Sequence, residues 1–338
     1  MVGERGMRHF LHLGELSEQE VEDILELSRR IKRGPSRDDL RGRVVGQLFF
    51  RGSLRTRTSL EVAMHQLGGH SVNLTATSDF WDLEYRVGTV MDGAAPEHIK
   101  DAAGVLSRYV HALAIRPAPE GQSWAVDRRD EGIRTWAEYS RVPVINMESA
   151  LWHPLQALAD LMTLRETLGE ISGRRLAITW TRSPSPGSPA VIHSVLMAAL
   201  RMGMNVAVAS PRGFELDEGV TSDAQRLARE VGSELELGLA IEDAVEGANV
   251  VYARSWQSLD AYGNPTLAAS RVGRMSGWTL DERTMALGSD AKLMHSMPVR
   301  RNLEVSDEVL DGPRSLVYQQ AENRLHTQKG LLSRLLRG

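Results

Sequence analysis

A cluster of positive charge follows a short apolar run at residues 44–50. The next nine residues, 51–59, contain three arginines and four hydroxyl side chains. We predict a buried strand, a turn and then a helix. Ligands gather at the carboxyl ends of parallel strands, and free N–H groups at a helix start favour an anion. Arginine adds a planar fork that matches phosphate oxygens. The segment therefore predicts a phosphate site, although it lacks the order of a Walker A loop. The alternative is a solvated basic turn.

Other polar residues stand where they could act on the same ligand. Arg116 follows the apolar run at residues 113–115, at the predicted carboxyl end of a strand. His153 stands in a His-Pro-x-Gln context with Gln156, and Arg324 lies near the carboxyl terminus. Each has a purely structural alternative: a lone histidine is more often structural than catalytic, and Arg324 fits a charge on a helix surface.

Short apolar runs alternate with amphipathic segments along the chain, which indicates an α/β fold with parallel sheets. The first helix should begin at Ser17, because Ser17 and Glu20 have capping-box spacing, and Pro35 and Ser36 should end that region. One face of this helix should carry Val21, Ile24, Leu25, Ser28 and Ile31. Predicted strands cover residues 44–50, 113–116, 142–146, 176–181, 206–210, 250–253 and 292–297. Predicted helices cover residues 59–67, 99–110, 155–168, 190–202 and 322–336, with a loop at 183–189.

The bulk composition is that of an ordinary globular chain. Its 338 residues are enough for two domains, and we place their boundary near residues 147–153. The net charge of −4 offers no general attraction to nucleic acid or to an anionic membrane. The chain has no cysteine, and we find no signal-peptide pattern and no long apolar run. We therefore expect a cytoplasmic protein without nucleic-acid or membrane partners.

Four motifs together suggest a family. They are Ser53-x-Arg-Thr-Arg-Thr, His153-Pro-Leu-Gln, His295-Ser-Met-Pro and Ala321-Glu-Asn-Arg. In this order they resemble the phosphate signature and later motifs of the aspartate and ornithine carbamoyltransferases, with Ser296 where the family has cysteine. The resemblance implies two α/β domains, residues 1–150 with a returning helix at 318–338, and residues 151–317. It also implies a homotrimer whose active sites are shared between subunits.

Further stretches resemble the branch of the family that acts on N-acetylornithine or N-succinylornithine. They are residues 88–93, 144–148, 299–302 and 321–330. The Ser-Met-Gly loop typical of plain ornithine enzymes is missing, and Ser255-Trp256 stands in its place.

The resemblance assigns a role to individual residues. The groups expected around carbamoyl phosphate are Ser53, Leu54, Arg55, Thr56, Arg57, Arg116, His153, Gln156, Ser296, Met297 and Arg324, with Trp81 reaching a neighbouring subunit's site. Among them Thr56, Arg116, His153 and Gln156 are the expected catalytic groups. Attack of a neutral amine on carbamoyl phosphate needs positioning and fixed positive charge more than a covalent nucleophile. No metal and no organic cofactor are expected.

The acceptor is expected to meet Glu148, Arg254, Met297 and Pro96. Arg254 stands where acylornithine enzymes usually carry lysine, and Glu304 stands where acetylornithine members have lysine. Pro96 bears on the acyl group, because a glutamate at this place would repel a succinyl carboxylate and a proline would not. Pro96 also suits the first position of a helix, which is the structural alternative.

These residues predict transfer of the carbamoyl group of carbamoyl phosphate to the side-chain amine of an N-acylated ornithine, succinyl or acetyl, in arginine biosynthesis. One alternative is the same chemistry on another small amine in specialised metabolism, which the departures at Arg254, Ser296 and Glu304 favour. Another is a catalytically silent paralogue that binds metabolites. The intact set of predicted site residues argues against a silent paralogue.

Overall fold

A computed structural model of the chain describes residues 9–34, 38–76 and 78–337. The chain forms two compact units. Unit 1 comprises Met1–Pro119, Asp127–Leu158 and Arg324–Gly338, and unit 2 comprises Glu120–Val126 and Ala159–Asn323. The division after Leu158 lies a few residues beyond the boundary that the sequence suggests at residue 150, which remains a prediction.

The first half of the chain alternates strands and helices. After a 3₁₀ turn at Leu13–Glu15 come α1 (Glu18–Arg33), β1 (Val44–Phe49), α2 (Leu54–Gln66), β2 (His70–Thr75), β3 (Leu83–Glu84), β4 (Glu97–His98), α3 (Ile99–Tyr109), β5 (Ala112–Arg116), α4 (Trp124–Asp127), α5 (Glu131–Tyr139), β6 (Val144–Asn146) and α6 (Pro154–Leu168). The main sheet of unit 1 has the order β2-β1-β5-β6, and every strand pair in it is parallel.

The second half repeats this alternation. Its elements are β7 (Arg175–Trp180), α7 (Ala190–Arg201), β8 (Asn205–Ala209), α8 (Glu218–Val231), β9 (Leu235–Leu239), α9 (Ile241–Val245), β10 (Val250–Arg254), α10 (Pro265–Gly273), α11 (Glu282–Met285), β11 (Lys292–Met294), α12 (Asp307–Asp311) and α13 (Val317–Leu336). The sheet of unit 2 has the order β11-β10-β7-β8-β9 and is also parallel throughout. The predicted α/β class with two parallel sheets is confirmed.

The predicted start and buried face of α1 are confirmed. The Ser17 hydroxyl accepts a hydrogen bond from the Glu20 backbone N–H at 3.2 Å, and the Glu20 carboxylate accepts one from the Ser17 N–H at 2.8 Å. These two bonds satisfy N–H groups that have no partner inside the helix. The buried residues of α1 repeat at helical spacing, and they are Val21, Ile24, Leu25, Ser28 and Ile31. Pro35 and Ser36 lie outside the described residues.

Two predicted helix starts are wrong. Helix α2 begins at Leu54 and not at residue 59, because the Ser53 side chain caps it by accepting a hydrogen bond from the Thr56 N–H. The final helix begins at Val317 and not at residue 322. The predicted strand at residues 292–297 ends at Met294, and a loop follows it. Within the described residues, no helix is both long and apolar enough to cross a membrane.

The last turns of α13 pack closely on α1 within unit 1. A methyl group at Gly330 would lie 2.1 Å from the Ser28 hydroxyl oxygen and 2.9 Å from the Ile24 carbonyl oxygen. Gly330→Ala should therefore destabilise the protein by roughly 1–3 kcal/mol through overpacking, measured as a lower midpoint of thermal unfolding. Gly104→Ala, in α3, is the matched control, because a methyl group there meets no atom within 4 Å. Equal midpoints for the two variants would contradict the close packing.

Candidate active site

The amino terminus of α2 lies at the carboxyl end of β1. In unit 1 the chain places β2 on one side of β1 and β5 on the other, so the edge shared by β1 and β5 is a topological switch point. Ligands of open α/β sheets bind at such a point. The Ser53 hydroxyl caps α2, and the Leu54 side chain after it is 75% exposed. The N–H groups of the first helical turn thus face the region where the sequence predicts phosphate.

Arg116 is the last residue of β5, and it lies opposite Phe49, the last residue of β1. One guanidinium nitrogen donates to the Ser53 hydroxyl at 3.4 Å, and the other lies 2.5 Å from a Glu148 carboxylate oxygen. The predicted strand end therefore delivers Arg116 to the capped start of α2. A largely buried guanidinium held in this way is a preorganised positive charge.

Arg324 connects two other predicted site residues inside unit 1. Its guanidinium donates to the Thr56 hydroxyl and, at 3.2 Å, to the Gln156 side-chain oxygen. The three side chains are buried, and they come from α2, α6 and α13. Thr56, Gln156 and Arg324 therefore form one hydrogen-bonded group, as their shared predicted role requires.

Positive charge dominates this region. Burial lowers the pKa of the Arg116 guanidinium, and the nearby Arg51 and Arg55 lower it further, while Glu148 opposes them. Burial also holds the pKa of the His153 imidazole well below its ordinary value. His153 is therefore neutral near pH 7, 3.9 Å from the Glu148 carboxylate. A neutral imidazole can donate a hydrogen bond to a carbonyl oxygen without adding charge.

Two predicted residues of unit 1 have other surroundings. The Arg57 guanidinium donates to the Thr75 hydroxyl at 2.8 Å and lies over the Phe49 ring, 4.2 Å from its centre. The Trp81 side chain is 71% exposed, so it is not part of the core of this chain. Their assigned ligand contacts remain predictions.

Pro96 is exposed and lies three residues before α3, which begins at Ile99 and is capped by His98. The structural alternative for Pro96, the first position of a helix, is therefore wrong. Its predicted bearing on the acyl group remains open to test.

Arg254 occupies in unit 2 the place that Arg116 occupies in unit 1. It ends β10 opposite Trp180, the last residue of β7, and the sheet order changes direction between these two strands. One guanidinium nitrogen donates to the Met297 carbonyl at 3.4 Å. A Cβ atom added to Gly187 would lie only 3.0 Å from another guanidinium nitrogen of Arg254. The loop at residues 183–189 therefore packs closely against Arg254 at a position where the chain has glycine.

The loop after β11 is held by a buried histidine. His295 and Glu304 lie 3.0 Å apart through an imidazole nitrogen and a carboxylate oxygen, and both are buried. The other imidazole nitrogen of His295 accepts from the Met297 backbone N–H at 2.9 Å. The carboxylate of Glu304, which stands where acetylornithine members have lysine, therefore contacts His295.

The segment that replaces the Ser-Met-Gly loop is part of the unit 2 core. Trp256 is fully buried, and its indole N–H donates to the Phe214 carbonyl at 2.7 Å. The Gln257 backbone N–H donates to the Gly187 carbonyl at 2.9 Å. Gln257, the residue after this segment, therefore binds the neighbouring loop at residues 183–189.

Three polar contacts were missed from the sequence. Arg51 lies 3.3 Å from a Glu148 carboxylate oxygen, Arg300 donates to the Ser183 hydroxyl at 3.1 Å, and Asp130 accepts from the Ser149 hydroxyl at 2.5 Å. Arg51 had a detectable signal, because it stands in the basic turn. For the other two, no spacing or motif in the sequence points to the contact.

The chain matches two family profiles that together cover most of its length. Residues 8–166 match the aspartate/ornithine carbamoyltransferase carbamoyl-P binding domain, and residues 186–335 match the Asp/Orn binding domain of the same family. The chain belongs to the aspartate/ornithine carbamoyltransferase family. It is accordingly a carbamoyltransferase, and the two profiles divide along the chain in the same order as the two sheets.

Relatives in this family carry two different names. An N-acetylornithine carbamoyltransferase of Xanthomonas campestris pv. campestris is 39% identical over 98% of this chain and 98% of its own length. An ornithine carbamoyltransferase of Parafrankia sp. is 40% identical over 97% of this chain and 96% of its own. Overall identity therefore does not distinguish the two acceptors.

Solved structures show the same fold. Acetylornithine transcarbamylase in complex with acetylcitrulline has a TM-score of 0.94 and 39% identity, covering 97% of this chain and 99% of its own. A glutamate-to-proline variant of N-acetyl-L-ornithine transcarbamylase, in complex with carbamyl phosphate and N-succinyl-L-norvaline, has a TM-score of 0.93 and the same identity and coverage.

Proposed function

We propose that this carbamoyltransferase moves the carbamoyl group of carbamoyl phosphate to the side-chain amine of an N-acylated ornithine, succinyl or acetyl, in arginine biosynthesis. The observation that carries the proposal is the convergence of Arg116, the capped start of α2 and the Thr56–Gln156–Arg324 group in unit 1. Together they offer helix N–H groups and two guanidinium groups to a doubly charged ligand.

The reaction assigns these groups distinct tasks. The phosphate would lie at the start of α2, where Ser53, Arg55 and the free N–H groups match its oxygens. The carbamoyl oxygen would face Arg116 and the neutral His153, which stabilise the negative charge that develops when the amine attacks the carbonyl carbon. The attacking nitrogen then loses a proton, the carbonyl forms again as the carbon–oxygen bond to phosphate breaks, and the departing phosphate takes up that proton. No step here needs a covalent nucleophile.

The acceptor amino acid would use groups of unit 2. Arg254 ends β10 and supplies a guanidinium for the α-carboxylate. The Met297 backbone is held by His295, and its left-handed conformation, with φ of 58°, turns the peptide at the position predicted to orient the amine. Glu148, another residue predicted to meet the acceptor, is held within unit 1 by Arg51 and Arg116.

Pro96 carries the proposal for the acyl group. A glutamate-to-proline variant of a 39% identical enzyme was solved with a succinylated ligand, and the sequence resemblance aligns Pro96 with a glutamate of acetylornithine enzymes. A proline leaves a succinyl carboxylate free of a like charge. This favours succinylornithine over acetylornithine as the acceptor.

Pro96→Glu should reduce kcat/KM for succinylornithine by about tenfold or more. The carboxylate introduced at residue 96 would repel the succinyl carboxylate of the substrate, and juxtaposed like charges cost about a few kcal/mol. Acetylornithine should be affected less. Steady-state kinetics on ornithine, acetylornithine and succinylornithine test this, and Pro96→Gln is the matched control because it adds the same bulk without charge. If the wild type prefers free ornithine to both acyl forms, the acylornithine assignment is wrong.

A second candidate is the same transfer to a different small amine. Arg254 in place of lysine and the buried Ser255–Trp256 segment favour it, because arginine and lysine bind a carboxylate with different geometry. Binding of carbamoyl phosphate without turnover of any of the three ornithine substrates would support this candidate.

We also propose that the chain acts as a cytoplasmic homotrimer with shared sites. The segment between β3 and β4 and the residues before it expose several large apolar side chains, namely Trp81, Val87, Val90 and Met91, at 71%, 63%, 79% and 40%. Several exposed large apolar side chains in one segment are a feature typical of interaction surfaces. Trp81 is the residue that would enter a neighbouring subunit's site.

A further inference from the structure

Asp130 is a buried carboxylate that serves a neighbouring loop and not its own helix. It precedes α5 at the N-cap position, where an aspartate usually accepts a hydrogen bond from the helix, but its side chain makes no such bond. It accepts instead from the Ser149 hydroxyl at 2.5 Å and from the backbone N–H groups of Ala150 and Leu151 at 3.0 and 3.3 Å. All three donors belong to residues 147–153, here called the Glu148 loop.

The Glu148 loop has an unfavourable backbone that needs such support. Glu148 has φ of 141°, a conformation that side chains rarely adopt and that persists only where neighbouring contacts impose it. Asn146 supports the loop from the other side, because its side-chain oxygen accepts from the Glu148 N–H at 3.0 Å and its amide donates to Ser149 at 2.9 Å. Asp130, Ser149 and Asn146 therefore form a hydrogen-bonded chain beneath Glu148.

This loop holds two groups of the candidate active site. It places the Glu148 carboxylate against Arg116 and Arg51, and it ends at His153. A small displacement of the loop would change the orientation of Arg116 and of His153 together. Displacements of about 1 Å at a reacting centre can lower turnover by roughly a hundredfold.

The electrostatics of Asp130 argue against a role in packing alone. Burial raises the pKa of its carboxyl to about 6, partly offset by the bonds from Ser149, Leu151 and Ala150 and by the positive charge of Arg134. Arg134, one turn along α5, is the charged group that bears on it. A buried carboxylate without a direct ion pair is costly, and an apolar residue of similar size would stabilise the fold more.

We propose that Asp130 is a positioning residue for carbamoyl transfer, which holds the Glu148 loop so that Arg116 and His153 keep their orientation. This inference rests on the proposed function. It concerns the alignment of the reacting groups and not the binding of phosphate. None of the hydrogen bonds of Asp130 described above involves the residues of α2 that are proposed to bind phosphate.

Steady-state kinetics on Asp130→Ala and Asp130→Asn test this role. The alanine variant should lose kcat by about 10- to 100-fold while its calorimetric affinity for carbamoyl phosphate stays within a few-fold of wild type. The asparagine variant should recover part of the loss, because its oxygen still accepts from Ala150 and Leu151. Glu131→Ala is the matched control on the next residue, an exposed side chain paired only with Arg129, and it should keep wild-type kcat.

The pH profile separates positioning from general stabilisation. The ratio of wild-type kcat to Asp130→Asn kcat should fall towards one as the pH drops through about 6, because protonation makes wild-type Asp130 resemble the asparagine. Wild-type kcat in Asp130→Ala would overturn the inference. So would a loss of carbamoyl phosphate affinity and of thermal stability as large as the loss of kcat.

A fluorine label on Trp152 tests the loop without activity. Trp152 lies in the Glu148 loop and stacks on His12 with ring centres 5.5 Å apart. The ¹⁹F resonance of fluorotryptophan at this position, assigned with Trp152→Phe, should differ between wild type and Asp130→Ala when both are recorded at the same neutral pH. A single pH is used because His12, which stacks on this ring, is itself a side chain of the type that changes charge near neutrality. An identical resonance in wild type and Asp130→Ala would overturn the inference even if no acceptor were turned over. If wild type turned over no acceptor but substitution of Asp130 still changed the fluorotryptophan resonance, the result would count against the proposed function and not against this inference.

Discussion

Replacing Arg116 with alanine should lower kcat for carbamoyl transfer by about 10²–10³-fold, the usual effect of removing one preorganised donor from a developing oxyanion. The guanidinium lies at the end of β5, bonded to Ser53 and paired with Glu148, so its position is fixed before substrate arrives. The measurement is steady-state kinetics with carbamoyl phosphate and the best acceptor found in the substrate panel.

Arg55→Ala is the matched control for Arg116→Ala. Arg55 lies in the first turn of α2, where phosphate is proposed to bind, so its removal should weaken carbamoyl phosphate binding by roughly 1.5–3 kcal/mol in calorimetry. Arg116→Ala should lose more in kcat than in affinity. If Arg116→Ala keeps kcat within a few-fold of wild type, Arg116 does not stabilise the transition state. If Arg55→Ala binds as tightly as wild type, the phosphate assignment is wrong.

The sequence predicts the fold class and the order of the main elements well, because buried parallel strands and amphipathic helices leave strong patterns. The face of α1 could be read from its spacing, and its start from the Ser17–Glu20 capping pair. The start of α2 was placed five residues late. The segment before residue 59 is rich in arginine and hydroxyl groups, which is typical of a loop. In the structure Ser53 is the N-cap of α2, and the charged residues after it form the first turn of the helix.

Edge strands and peripheral helices were harder to predict. The elements that the prediction omitted include β2, α5, α8 and β9. Strands β2 and β9 lie at sheet edges and are only half-buried, so their residues mix polar and apolar types without a long apolar run. Helices α5 and α8 are amphipathic, with buried faces of three residues each, which is a weak periodic signal in a single sequence.

Only some residues of the candidate site could be predicted from the sequence, and the reason differs from one residue to the next. Arg116 could be proposed from its place after an apolar strand. The bond from Arg324 to Thr56 joins residues 268 positions apart, and only the family resemblance brings them together. Asp130 escapes both approaches, because a single acidic residue has no periodic signal and its contacts depend on the loop that folds onto it. Glu304 is singled out by the family resemblance, but nothing in the sequence predicts its contact with His295.

Mixing two inactive variants should restore activity if the active sites are shared between subunits. Trp81→Ala removes the exposed aromatic side chain proposed to enter a neighbour's site, and Arg116→Ala disables the site of its own chain. In a cyclic trimer each mixed assembly contains one site with both residues intact. Random reassociation of equal amounts should therefore recover about one quarter of wild-type activity.

Whether active sites are shared between subunits is tested by mixing the two variants either with or without dissociation of their trimers. Chains dissociated and reassociated together should gain activity, whereas trimers mixed without dissociation should stay at the level of the separate variants. A chain that carries both substitutions should gain nothing when it is mixed with either single variant, because every chain in such a mixture lacks Trp81 or every chain lacks Arg116. Reassociated mixtures that remain at background would count against a shared site, as would a fully active wild-type monomer in light scattering. In either case the exposed apolar segment around Trp81 would need a role other than completing a neighbour's site.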